Sequence, residues 1–94
     1  MTTRTEMQIE IADAFTNLLK MAVAAEHFEQ VGDDKALERA DEQYAGLELL
    51  AFDIAAKYGW DWEQDDEWCP EHMTGTEIAH YGLSRAMEKC KVSR

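Results

Sequence analysis

Positive charge is scarce in this 94-residue chain: 9 Lys and Arg stand against 20 Asp and Glu, a net charge of −11 at pH 7. Duplex affinity comes largely from Lys and Arg displacing counterions from phosphates, so direct nucleic-acid binding is not expected. Attachment to an anionic membrane surface fails for the same reason. No apolar run approaches the roughly 20 residues that span a bilayer, and the opening "MTTRTEMQIE" lacks the uncharged core of a signal peptide. A cytoplasmic location is the expectation. With only two cysteines, Cys69 and Cys90, the chain has no disulfide framework, and reduced thiols suit that compartment. Glycine-rich phosphate loops and nucleophile elbows are also missing, and no cofactor is implied.

What is present suffices for one modest core. The chain is 46% hydrophobic and 10% aromatic, which argues for a single folded domain over residues 1–94. Its acidity favours a basic partner, because long-range attraction speeds that encounter.

The periodicity predicts an all-α fold of three helices. The first is expected over about 5–31, opening on the capping-box spacing of Thr5 and Gln8 and stopping at Gly32. Met7, Ile11, Phe15, Leu18, Leu19 and Ala22 share one face of it. After Met21 the stripe swings towards Ala24, Ala25, Phe28 and Val31, so the second half of the helix bends or meets a different neighbour. The second helix is expected over about 34–58, with Leu37, Ala40, Tyr44, Leu47, Ala51, Ile54 and Tyr58 at steps of three and four. Little chain separates the two, so they form a long antiparallel hairpin. Leu49, Phe52 and Ala56 make a second, smaller stripe that needs cover from the third helix or from another chain. The third helix is expected over about 75–91, with Thr74 and Glu77 at capping-box spacing. Ile78, Ala79, Gly82, Leu83, Ala86, Met87 and Cys90 form its inner face. Only the short "WDWE" hints at a strand.

Between the last two helices lies the most unusual stretch, "GWDWEQDDEWCPEHMTGT". It holds all three tryptophans and six carboxylates without one lysine or arginine. As a loop over 59–74 it exceeds the roughly 2–8 residues of most bundle connections, and Pro70 breaks any helix through it. Four readings compete. The tryptophans, Trp60 above all, close the open end of the hairpin while the acids stay in water. Alternatively Trp60, Asp61, Trp62, Glu63, Asp65, Asp66, Glu67 and Trp68 form a partner-binding surface, since tryptophan is enriched at interface hot spots and charge sets on-rate. As a third reading, Cys69 and His72 have the spacing of half a zinc knuckle, with His80 as a candidate third ligand, but zinc wants four. Calcium is the fourth: Asp61, Glu63 and Asp65 mimic the start of an EF-hand loop, yet Asp66 and His72 stand where glycine and glutamate are required.

Catalytic pairs can be drawn from His27 with Glu26 and Glu29, or His80 with Cys69, but nothing in the sequence supplies a third, orienting group. The chain therefore reads as a non-enzymatic protein-binding module with a strongly acidic surface. Its expected partner is a basic, nucleic-acid-handling protein, engaged as an inhibitor or nucleic-acid mimic. In general type it resembles small acidic proteins of phages and mobile elements, although no motif carries a family identity. The rival reading is a homodimeric helical module, in which Leu49, Phe52, Ala56 and Phe28 build the interface.

Overall fold

In the computed structural model, which describes residues 2–92, helix α1 spans Arg4–Val31, α2 spans Asp34–Lys57 and α3 spans Gly75–Lys89. The first helix begins just before the expected Thr5, because Thr3 caps it and its hydroxyl accepts from the Glu6 N–H at 3.1 Å. Gly32 ends α1 with φ +76°, where its N–H and that of Asp33 return to the carbonyls of Glu29 and Phe28. Only a residue at ease in the left-handed region closes a helix this way. Asp33 then caps α2 through the Ala36 N–H, so the chain reverses in two residues and α1 and α2 form the expected hairpin. The inner face of α1 holds the expected Met7, Ile11, Phe15, Leu18 and Ala22, all buried, with Leu19 packed against them and Ala14 buried as well.

The length of the 59–74 connection has a geometric cause. Tyr44 of α2 donates its hydroxyl to the Gly75 carbonyl at 3.2 Å, so α3 starts beside the middle of α2. At the other end, the Lys91 N–H donates to the Tyr58 carbonyl at 2.9 Å. Helix α3 therefore runs parallel to α2 and antiparallel to α1. To arrange this, the chain must travel from Tyr58 back to the level of Tyr44, roughly 20 Å along the helix. A short turn cannot do so. Thr74 and Glu77 form the anticipated capping box, with reciprocal bonds of 3.2 Å. The helix ends at Lys89, short of the expected 91, because Cys90 turns extended and its thiol donates to the Ala55 carbonyl.

Core packing centres on the contact of α1 with both other helices. Gly82 of α3 lies against Phe15, which meets Phe52 of α2 edge-on with ring centroids 5.3 Å apart. At the open end of the hairpin, the Tyr58 hydroxyl donates to Glu10 and the Lys57 ammonium pairs with the same carboxylate. The phenol first and the ammonium second hold the Glu10 carboxyl below its usual range. The opposite end of the hairpin extends past α3. There Phe28 is half-buried and Val31 exposed, which accounts for the drift of the α1 stripe after Met21. No described helix is long and apolar enough to cross a membrane, and "WDWE" forms turns rather than a strand.

Candidate functional site

Gly59 decides where the tryptophans go. At φ +102° it lets the Gly59 and Trp60 N–H groups cap α2 through the carbonyls of Ala56 and Ala55, and this turns the Trp60 ring back towards the helices. Trp60 is 2% exposed and Trp68 9%. Both rings, with that of Trp62, surround Phe52 at centroid distances of 5.3 to 5.7 Å. Trp60 and Trp68 also meet each other edge-on at 5.3 Å. The loop is thus a lid of indoles over one phenylalanine. Offset and edge contacts of this kind add about 0.5–1.5 kcal/mol each beyond the area they bury.

This arrangement corrects two expectations. Phe52, expected at an intermolecular face, is only 6% exposed, because the chain's own indoles cover most of its ring. Trp60 and Trp68, expected at a partner-binding surface, belong to the core and leave little of their rings exposed. The remaining interface candidates divide: Leu49 is 63% exposed, Ala56 is exposed, and Phe28 is half-buried near the far end of the hairpin.

The acids of the loop divide as well. Asp65, whose side chain is 12% exposed, accepts from the Trp60 indole N–H at 2.8 Å and from the Arg85 guanidinium at 3.2 and 3.3 Å. Arg85 also binds Glu67. These bonds, that from the indole foremost, lower the Asp65 carboxyl to a pKa of about 2. Absence of a cation within the loop suggests unrelieved repulsion among its carboxylates. In the structure Arg85 of α3 relieves it for two of them. Asp61, Glu63 and Asp66 stay exposed, and Trp62 is half-buried. Of the eight loop residues read as a docking surface, Asp61, Glu63 and Asp66 alone are exposed without an ion pair, and Trp62 shows part of a ring that otherwise packs on Phe52.

The metal candidates do not converge. Cys69 is exposed and its thiol donates to the Asp66 carbonyl at 3.4 Å. His72 and His80 are exposed too. Among the described residues no group of three His, Cys, Asp or Glu side chains is placed to hold an ion. Neither pairing sketched for acid–base chemistry is made: the Glu26 carboxylate accepts from the Thr76 hydroxyl at 2.9 Å, not from His27.

One feature of this region escaped sequence reasoning. Beside the indole lid runs an open apolar groove of about 380 Å³, between α2 and the loop, lined by Leu49, Phe52, Trp62, Trp68, Pro70 and Ile78, with Ala45 and Glu48 at its edge. The Leu49/Phe52 stripe was its only trace in the sequence. Periodicity shows that a face is apolar, but not that a distant loop will leave half of it open. Compared with known proteins, the chain matches no family model, no curated protein and no solved structure.

Proposed function

We propose that this protein is a non-enzymatic binding module that docks a basic, nucleic-acid-handling protein through its acidic surface, as an inhibitor or nucleic-acid mimic. The observation that carries the reading is the distribution of charge. Among the described residues only Glu10, Asp65 and Glu67 enter ion pairs, out of 20 acidic side chains in the chain. The rest repel one another across a narrow body measuring 49 × 27 × 16 Å. Such a surface has a standing electrostatic cost that a cationic partner removes, and like-charged nucleic acid is repelled from it.

Asp61, Glu63 and Asp66 extend the acidic surface over the loop, with Trp62 beside them as an aromatic contact. A homodimer draws support from exposed Leu49 and Leu50, at 63% and 53%. The charge of −11 on each copy opposes it.

The experiment is affinity capture on the immobilised protein from nuclease-treated lysate, eluted by a salt gradient, with duplex DNA as competitor. Basic nucleic-acid-binding proteins should be retained, released by moderate salt, and displaced by DNA. Retention of proteins without a basic surface, or retention indifferent to DNA and salt, would overturn the reading.

A further inference from the structure

We propose that the groove between α2 and the tryptophan loop is a docking site for a basic amphipathic helix, with one large apolar side chain of that helix entering between Leu49 and Trp62. The inference rests on the reading of an acidic docking module and gives that module a location and a partner chemistry. Its first support is the groove itself. At about 380 Å³ it lies within the roughly 300–1,000 Å³ typical of ligand sites, and Leu49 stands at its mouth with 63% of its surface in water. The neighbouring Leu50 is exposed as well.

The second support is what continues from the groove. Ala45 lines it and also lines a shallow depression further up α2, bounded by Asp34, Leu37, Glu38, Asp41 and Glu42. Together they make one trough along the outer face of α2, apolar at the loop end and acidic at the other. From Asp34 to Glu48 the trough follows four turns, about 21 Å. Asp34, Glu38, Asp41, Glu42 and Glu48 enter no ion pair among the described residues. Helical partners dock by laying an apolar anchor into such a groove, and flanking charge sets their register. Lys or Arg at steps of three and four on the partner would meet these carboxylates in turn. A second copy of this chain would bring carboxylates to carboxylates, which argues for a cationic occupant instead.

The test uses three synthetic 18-residue peptides and isothermal titration at low salt. One is an amphipathic helix of lysines and leucines, the second a scrambled isomer without an apolar face, and the third carries lysines without leucine. The protein is compared with Leu49→Asp, with Glu38→Gln/Asp41→Asn/Glu42→Gln/Glu48→Gln, and with Asp13→Asn/Glu88→Gln as a control away from the trough. Circular dichroism checks that each variant is folded. The amphipathic peptide should bind at least tenfold tighter than the other two. That advantage should vanish with Leu49→Asp, fall at least tenfold with the neutralised trough, and survive in the control.

If peptides bind with strong salt dependence but Leu49→Asp makes no difference, the groove is not the site, and the acidic docking reading stands. If no basic peptide binds the parent protein, that broader reading fails and the groove proposal with it. Light scattering that finds a dimer broken by Leu49→Asp would assign the groove to a second copy and overturn the proposal.

Discussion

The indole N–H of Trp60 donates to the Asp65 carboxylate across 2.8 Å, and that bond fastens the loop to the core it covers. Trp60 is 2% exposed, so its donor has no access to bulk water and needs this acceptor. Arg85 holds the same carboxylate from α3. One aspartate therefore joins the end of α2, the loop and the third helix.

Replacing Asp65 tests this junction. Asp65→Ala leaves a buried donor without its partner and should lower Tm by roughly 4–8 °C for a domain of this size. Asp65→Asn keeps an acceptor for the indole and should cost less. Thermal unfolding followed by near-ultraviolet circular dichroism reads both, and equal Tm values for parent and alanine variant would dismiss the junction.

The same carboxylate should leave a mark on acid unfolding. Its folded pKa of about 2 lies below the ordinary 3.8, so its stabilisation is fully present above the unfolded value and is lost as pH falls through the folded one. The stability difference between the parent and Asp65→Asn should be level above about pH 5 and shrink towards pH 2. Urea titrations across that range measure it. A difference that stays level or widens in acid would contradict the assignment.

Two glycines in helices should respond in opposite directions. A Cβ on Gly46 of α2 meets nothing within 4 Å, so Gly46→Ala should stabilise by about 0.5–1 kcal/mol through helix propensity. A Cβ on Gly82 would stand 2.8 Å from the Phe15 ring and 3.3 Å from that of Phe52. Overpacking costs about 1–3 kcal/mol, enough to exceed the propensity gain, so Gly82→Ala should destabilise. Denaturant midpoints give both signs.

Phe52 and Leu49, three positions apart on α2, should also separate. Phe52→Ala removes the ring that three indoles surround and should cost about 3–5 kcal/mol, a large part of the roughly 5–14 kcal/mol total stability of a chain this long. Leu49→Ala touches an exposed side chain and should stay within about 0.5 kcal/mol. Comparable losses at both positions would mean that Leu49 is covered in solution.

The two thiols should react at different rates. Cys69 is exposed, whereas Cys90 is buried and its thiol is pushed up in pKa by desolvation. A maleimide should modify Cys69 in the folded protein and reach Cys90 only on unfolding. Mass spectrometry with and without denaturant distinguishes the sites.

Local chemistry written in the sequence determined the three helices. The apolar steps of α1, the Gly32 and Gly59 stops, and the Thr74/Glu77 box each act over a few residues, and such short-range terms can be read from the chain. The N-cap of α1 is Thr3 and not the expected Thr5 for the same reason, since both threonines offer equivalent caps and only the built helix chose Thr3. Acidity is likewise a property of composition. Tertiary structure decided which acids are free and which tryptophans are surface. Arg85 lies 20 residues from Asp65 in the chain, and no local pattern links them until α3 runs parallel to α2. The same geometry put Phe52 beneath the loop and left Leu49 outside it. Neighbours on one helix stripe met different fates because a segment folding back from Gly59 covers only part of that stripe.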